Sequence, residues 1–199
     1  MNNSRNDASG DILIVDDIPA NLRLLSQMLS DQGYSVRAVT SGIRALESVE
    51  AVPPDLILLD IRMPEMNGYQ VCERLKANEK TNHIPVIFIS AMSEIQDKVQ
   101  AFKVGGVDYI TKPFQLEEVL VRTETHLSLQ HLQKSLQDTN QKLERELILA
   151  GELQASFMPS KLPQIPGWQF ATKIKPARET SGDFFDVFRL PEGHIGFLV

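Results

Sequence analysis

The chain has 199 residues, 42% of them hydrophobic and 23% charged, which suits a globular protein with one full domain and part of another. Its formal net charge of −6 argues against a nucleic-acid partner, so proteins are the expected partners. The polar N-terminus lacks an apolar signal segment, no run approaches the ~20 apolar residues of a membrane span, and Cys72 is the single cysteine, so we expect a cytoplasmic protein, with no membrane partner and no disulfide framework.

Short apolar runs alternate with amphipathic segments from residue 11 to about residue 114. The runs read ILIV, YSVRAV, LILL, VIFIS and DYI, and segments of helical period such as IPANLRLLSQMLSDQG separate them. Apolar runs that are buried on both faces and alternate with helices indicate a parallel sheet between two helical layers. The sequence therefore predicts a doubly wound α/β domain over 11–128, with five parallel strands, after a disordered segment over 1–10. For a sheet of this kind we expect the flavodoxin-like strand order 2-1-3-4-5.

One long helix is predicted after this domain, because 114–150 contains neither Gly nor Pro. A helix from about Gln115 to Ser156 would be roughly 60 Å long at 1.5 Å per residue, more than the first domain can cover. Its second half has an apolar residue at every seventh position, with further leucines beside this stripe: Leu129, Leu136, Leu143, Ala150 and Phe157, flanked by Leu132, Leu147 and Leu153. This period is typical of a coiled coil.

The heptad frame places Asn140 at an a position, where a buried amide favours two parallel strands in register. We therefore expect a coiled-coil linker and a homodimer through residues 129–157. A solvated single helix is the alternative, because Gln133 and Gln154 are poor a-position residues.

Three acidic residues end predicted strands. Asp16 and Asp17 follow the first apolar run, and Asp60 ends the third. In the order 2-1-3-4-5, strands 1 and 3 are neighbours, and ligands bind at their carboxyl ends. Converging carboxylates raise one another's pKa, so a cation is expected, and an all-oxygen ligand set suits Mg²⁺. Three separate helix-capping acids are the alternative, which the matched strand-end positions disfavour.

Two hydrogen-bond donors lie at the ends of the fourth and fifth predicted strands. Ser90 closes VIFIS, and Lys112 follows DYIT. A hydroxyl and an ammonium are the groups that a phosphoryl group on Asp60 would need, because both can donate to its oxygens. Taken singly, Ser90 suits a turn and Lys112 a surface charge; their joint position at consecutive strand ends favours the phosphoryl site.

The stretches ILIVDD, LILLDIRMPEMNG, VIFISA and DYITKPF resemble the CheY-like receiver domain of bacterial two-component response regulators, over about residues 10–128. The resemblance implies that Asp60 is the phosphoacceptor, which attacks a small phosphodonor or the phosphohistidine of a sensor histidine kinase or phosphotransfer protein. It also implies that Asp17, Asp60 and the backbone carbonyl of Arg62 bind Mg²⁺ directly, whereas Asp16 binds it through a water.

The same resemblance gives roles to the donors at the other strand ends. Lys112 would contact the phosphoryl group, and the Lys112–Pro113 peptide bond would be cis. Ser90 and Tyr109 would form a switch pair, in which the hydroxyl moves toward the phosphate and the aromatic ring turns inward behind it.

The last part of the chain predicts the opening of a β-containing domain. WQFATKIKP and HIGFLV have the composition of strands, and LPEG suits a hairpin turn. Asp183 and Asp186 are three residues apart, so on a regular strand they face opposite sides and form no metal site by themselves. The four histidines, at 83, 126, 131 and 194, lack metal-ligand spacing and are expected at the surface.

ELQASFMPSKLPQIPGWQF, KPARETSGDFFDVF and LPEGHIGFLV resemble the start of a PPM-type, SpoIIE-like serine/threonine phosphatase, over about residues 146–199. The resemblance implies a truncated α+β segment over 158–199, with Asp183 as a ligand of Mn²⁺ or Mg²⁺, although Ser181 stands where a Gly is usual. One Asp cannot hold a two-metal centre, so we expect no phosphatase activity from these 199 residues.

Two functional hypotheses follow from these patterns. In the first, phosphorylation of Asp60 acts through a dimeric helical linker on a C-terminal phosphatase, whose implied substrate is a phosphorylated anti-anti-sigma-type protein. In the second, the chain is a non-catalytic dimerisation scaffold that phosphorylation controls.

Overall fold

The computed structural model describes residues 10–91, 95–159, 162–167, 169–175, 180, 182–191 and 194–198. The chain forms two compact units, Met1–Gln133 and Lys134–Val199. The segment predicted to be disordered lies outside the described residues except for Gly10, which is buried. Within the described residues, no helix is both long enough and apolar enough to cross a bilayer.

Strands and helices alternate through the first unit. They are β1 (Asp11–Val15), α1 (Pro19–Ser30), β2 (Ser35–Val39), α2 (Gly42–Ala51), β3 (Leu56–Asp60), α3 (Gly68–Ala77), β4 (Val86–Ser90), α4 (Ile95–Lys103), β5 (Asp108–Thr111) and α5 (Leu116–Ser156). The strands are all parallel, in the order β2-β1-β3-β4-β5. This confirms the predicted strand number, direction and order.

The central strands separate two apolar layers. In β3, Ile57 and Leu59 belong to the core beneath α2, α3 and α4, whereas Leu56 and Leu58 belong to the core beneath α1 and α5. All five residues of β3, and all five of β4, are buried. Side chains of a strand alternate between faces, so a strand with helices on both sides must be apolar at nearly every position. The continuous apolar runs of the sequence have this cause.

A tight loop carries the chain from β3 into α3. Asn67 caps α3: its side chain accepts a hydrogen bond from the Gln70 backbone N–H, and the Gln70 side chain accepts one from the Asn67 N–H. The Gly68 N–H donates to the Ile61 carbonyl at 2.9 Å. A methyl group at Gly68 would overlap the backbone carbonyl of Asp60, so only glycine permits this close approach.

Helix α5 runs unbroken from Leu116 to Ser156, which confirms the predicted long helix. Val119, Thr123 and Leu127 in its first turns are buried, and every residue from 131 to 150 is exposed. The leucines of the heptad stripe are therefore exposed in the single chain. A partner helix would cover them, but the dimer itself stays a prediction.

The second unit contains an antiparallel pair of strands, β6 (Asp186–Arg189) and β7 (Ile195–Leu198). The predicted strand in HIGFLV is confirmed over Ile195–Leu198, and the antiparallel pairing confirms that the chain reverses between the two strands. Positions 192 and 193 of the predicted LPEG turn lie outside the described residues. The strand predicted in WQFATKIKP is wrong for residues 169–175, which have no regular structure, while positions 168 and 176 lie outside the described residues. Phe170 contacts the ring of Phe197 without joining the ladder, and most of its neighbours are exposed, so the segment lacks the buried face of a strand.

We predict that Gly68→Ala lowers the free energy of unfolding by about 3 kcal/mol, because the added methyl group must displace the backbone at Asp60. Gly33→Ala is the control: Gly33 has a φ of +91°, and its added Cβ would have no atom within 4 Å. Backbone strain alone should cost the control about 1 kcal/mol. Urea denaturation measures both, and equal losses would contradict the overlap.

Candidate functional site

Three carboxylates lie together at the carboxyl ends of β1 and β3. One oxygen from each of Asp16, Asp17 and Asp60 lies within 4.8 Å of the other two. Asp16 and Asp60 are 1% and 4% exposed, and Asp17 is half-buried. Adjacent strands β1 and β3 create this convergence, because both end at the same edge of the sheet. The predicted acidic cluster is confirmed as a geometric feature.

Asp16 is held from the start of α1. Its Oδ1 accepts the Ile18 N–H at 2.8 Å, and the Asn21 amide donates to both oxygens, at 3.0 and 2.9 Å. Sequence reasoning missed Asn21. The available signal was an amide in the first turn of the helix that Pro19 opens, where a side chain can reach back to the preceding strand end. These bonds fix the orientation of the Asp16 carboxylate.

Lys112 joins the cluster from the end of β5. Its Nζ lies 2.7 Å from Asp16 Oδ2 and 3.1 Å from Asp60 Oδ1. Asp60 Oδ1 also accepts the Ile61 backbone N–H at 3.0 Å. The Lys112–Pro113 peptide bond is cis, as the resemblance implied. Lys112 is therefore a member of the cluster and not a surface charge.

The charges of this cluster do not balance. Burial raises the pKa of Asp60, and the negative charges of Asp16 and Asp17 raise it further, although contacts with Lys112 act in the opposite direction. Burial alone would lower the pKa of Lys112, but its bonds to Asp16 and Asp60 raise it overall. Lys112 offsets one of three negative charges, so the site retains an excess that a divalent cation would neutralise. Close carboxylate oxygens suit Mg²⁺.

Ser90 and Tyr109 lie on one face of the sheet, beside the cluster. Ser90 ends β4 and is 5% exposed, and Tyr109 in β5 is half-buried. Tyr109 is opposite Phe88, two residues before Ser90, and Ser90 is opposite Thr111. Side chains two residues apart on a strand share a face, so the hydroxyl and the ring are neighbours along that face. The predicted place of Ser90 at the end of a strand is confirmed, and the switch roles of Ser90 and Tyr109 stay predictions.

One ion network was missed by sequence reasoning. Both Asp108 oxygens lie 2.7 Å from Arg122 of α5, and His126 Nε2 lies 3.2 Å from the same carboxylate. Burial opposes ionisation of Asp108, but hydrogen bonds from Arg122, the Tyr109 N–H and His126 lower its pKa overall. The surface prediction for His126 was wrong, since its side chain is only 16% exposed. The sequence did contain a hint of this contact, because His126 lies four residues after Arg122 and next to Leu127, on the side of α5 that packs against the sheet.

The remaining site predictions are untested. Asp183 is exposed and precedes β6, and the one group of three or more potential metal-ligand side chains found in the described parts of the chain is Asp16, Asp17 and Asp60. A metal role for Asp183 therefore stays a prediction. The carbonyl role of Arg62 does too, although Arg62 lies only two residues after Asp60. Ser181 lies outside the described residues.

Comparison with known proteins gives the fold and the cluster a family context. Residues 12–124 match the family model described as the response regulator receiver domain. A probable cyclic di-GMP phosphodiesterase of Vibrio cholerae is 44% identical over 143 residues, which are 71% of this chain and 32% of that protein. A DNA-binding dual master transcriptional regulator of Synechocystis is 44% identical over 116 residues, 58% of this chain and 48% of that protein. The chain thus spans less than half the length of either relative.

Solved structures show the same likeness. A crystal structure of a putative response regulator from Chloroflexus aurantiacus superimposes with a TM-score of 0.58 at 32% sequence identity. The match covers 60% of this chain and 98% of the other. The likeness to this structure is therefore a likeness of the receiver fold. The two relatives are named for different activities, one as a phosphodiesterase and the other as a transcriptional regulator.

We predict that Asp60→Asn raises the free energy of unfolding at pH 7 without added Mg²⁺, by an amount on the order of 1 kcal/mol. The folded protein raises the pKa of Asp60, so the ionised carboxylate destabilises the fold above that pKa. The advantage of the variant should shrink as the pH falls and the wild-type carboxyl group becomes protonated.

Thermal melts of both proteins between pH 7 and the acid range measure this difference. Added Mg²⁺ should raise the Tm of the wild type more than that of Asp60→Asn, because the variant lacks one carboxylate of the cluster. An advantage that grows toward low pH would contradict the charge imbalance.

Proposed function

The chain belongs to the response regulator receiver domain family, whose members accept a phosphoryl group on an aspartate, and we propose that Asp60 is that aspartate in this protein. The observation that carries the proposal is the position of Asp60, which is buried at the end of β3 beside two carboxylates and an ammonium. A sensor histidine kinase or a phosphotransfer protein would donate the phosphoryl group.

The contacts of Asp60 support an in-line attack by one oxygen. Within the described part of the chain, Ile61 and Lys112 both contact Oδ1, which leaves Oδ2 for the phosphorus atom. The new P–O bond forms as the P–N bond to the donor's imidazole breaks, and the imidazole nitrogen keeps the electron pair of that bond. Two fixed donors on Oδ1 would hold the carboxylate plane during this exchange.

Receiver domains typically bind Mg²⁺ at their acidic pocket, and the present cluster has the charge and the oxygens for it. Asp17, Asp60 and the Arg62 carbonyl would hold the ion directly, and Asp16 through a water. When bound, Mg²⁺ offsets negative charge on the carboxylates and the phosphoryl oxygens. Asn21 would keep Asp16 oriented toward this group.

Three further residues would respond to the phosphoryl group. Lys112 Nζ already lies between Asp16 and Asp60, so it can transfer a hydrogen bond to a phosphoryl oxygen without a large movement. Ser90 would donate its hydroxyl to another oxygen. Tyr109, on the same sheet face, would then turn inward and carry the change to the surface formed by α4, β5 and α5.

We propose that the output passes through a homodimer of α5. The leucines that repeat every seven residues after Leu129 are exposed in the single chain, and a second copy of the stripe would bury them. Asn140 would pair with its counterpart and keep the two helices in register.

We also propose a C-terminal PPM-type serine/threonine phosphatase as the controlled activity, with Mn²⁺ or Mg²⁺ as its metal. The support is the sequence of residues 146–199, including Asp183. Its substrate would be a phosphorylated anti-anti-sigma-type protein. In the natural protein that contains this chain, phosphoserine hydrolysis that responds to a phosphodonor would support the proposal, and the absence of hydrolysis with Mn²⁺ would contradict it.

The second candidate is a non-catalytic scaffold, which the exposed leucine stripe favours independently of any phosphatase. Phosphorylation would then change only dimerisation. Because one relative is named as a DNA-binding regulator, the absence of a nucleic-acid partner also stays a prediction.

We predict that acetyl phosphate with Mg²⁺ adds one phosphoryl group to the wild-type chain and none to Asp60→Asn. Asp31→Asn is the control, because Asp31 follows α1 and its carboxylate is bound by the exposed Gln27 amide. Intact-protein mass spectrometry measures the uptake. A phosphorylated Asp60→Asn chain would reassign the acceptor.

We predict that Leu143→Asp weakens dimerisation by about 100-fold or more, because each helix then buries a carboxylate in the coil seam. Leu149→Asp is the matched control, since Leu149 is an exposed leucine of the same helix that lies off the heptad stripe. Sedimentation equilibrium measures both dissociation constants. A monomeric wild type, or equal effects of the two substitutions, would contradict the dimer.

A further inference from the structure

Two cations from different helices lie over the ring of Tyr109. Lys98 Nζ of α4 is 4.3 Å from the ring centroid, and Arg122 Cζ of α5 is 5.9 Å from it. The ring of Phe102 meets Tyr109 edge-on at 6.4 Å. A cation within about 6 Å of an aromatic centroid is attracted by the electron-rich face of the ring. Tyr109 therefore connects the two helices that flank β5.

The cation from α5 has little freedom to move. Arg122 donates to both oxygens of Asp108 at 2.7 Å, and its Nη2 lies 3.0 Å from Glu118 Oε1. Asp108 directly precedes Tyr109 in β5, so the network fixes the guanidinium relative to the backbone that carries the ring. Lys98 approaches from α4 and reaches the ring with a flexible chain.

Movement of this ring would break contacts that the structure contains. Tyr109 and Ser90 share a sheet face, and Ser90 lies beside the acidic cluster at the strand ends. A ring that turns inward behind Ser90 must leave the position in which Lys98 and Arg122 contact it. The attraction of both cations then opposes the movement.

We infer that Lys98 and Arg122 form an electrostatic latch that holds Tyr109 in its unphosphorylated position and so sets how readily the site switches. The inference rests on the proposed function, because it assumes that Asp60 phosphorylation drives the ring. Lys98 is a positioning residue in this scheme, since it acts through Tyr109 and has no contact with the carboxylates.

Lys98 is the cleaner residue to change, because Arg122 also anchors α5 to Asp108. Lys98→Met keeps most of the length of the side chain and removes the charge. The loss of one partly exposed cation–π contact should shift the ratio of the two ring positions by about two- to fivefold. Ligands that favour the switched state should then bind more tightly by the same factor.

The experiment titrates beryllium fluoride with Mg²⁺ into the full chain, because beryllium fluoride mimics a phosphoryl group on a carboxylate. The chain carries 3-fluorotyrosine, so fluorine NMR reports the surroundings of each tyrosine ring. Tyr109→Phe assigns the fluorine signal of Tyr109 among the three tyrosines. Lys98→Arg restores the cation, and Lys103→Met removes an α4 lysine for which no contact with the ring is found in the described residues.

We expect Lys98→Met to lower the dissociation constant for beryllium fluoride about two- to fivefold and to move the free Tyr109 signal toward its bound position. Lys98→Arg and Lys103→Met should match the wild type. An unchanged or higher dissociation constant in Lys98→Met, with a wild type that binds, would overturn the latch alone. A wild type that binds no beryllium fluoride would instead overturn the proposed function, and the latch with it.

Discussion

The rest of the site depends on two ion pairs that the Lys112 ammonium forms, one with Asp16 and one with Asp60. The ammonium joins the ends of three strands, β1, β3 and β5, that are far apart in sequence. Without it, three carboxylates would lie at a buried sheet edge with only backbone and amide donors among their known contacts. With the ammonium present, the repulsion among the carboxylates is reduced, but the cluster keeps an excess negative charge that a bound cation can neutralise.

The parallel sheet makes this arrangement possible. Helices cover both faces, so the strands themselves must be apolar, and polar chemistry is confined to the strand ends. The exit loop of β3 reinforces this confinement. Gly68 packs against the Asp60 carbonyl, and Asn67 caps α3, so local contacts fix the backbone that follows the acid. Stability and function therefore share the same few residues.

Most of the fold and of the site was accessible from sequence because both depend on short-range patterns. Continuous apolar runs predicted buried strands, and acids or donors that directly follow those runs predicted the cluster. The errors concern tertiary contacts, because a local pattern can mark a residue that makes such a contact without naming its partner. WQFATKIKP has the composition of a strand but finds no partner strand over 169–175, and His126 is covered because Asp108 and Arg122 lie beside it in space. Asn21 was overlooked for the same reason, since its target is a strand end.

In the proposed function, helix α5 connects the phosphorylation site to the activity that it controls. The helix is anchored to β5 through the contacts of Asp108 with Arg122 and His126, one residue from the ring of Tyr109, and it continues without a break to Ser156. The movement of the ring that we propose would therefore act on a helix whose later turns carry the exposed leucines. The two relatives that match the receiver domain are named for different activities, which is consistent with a common receiver that controls different outputs. In the proposed function, the strand ends would perform the chemistry that the family shares, and the continuation of α5 would determine what that chemistry controls.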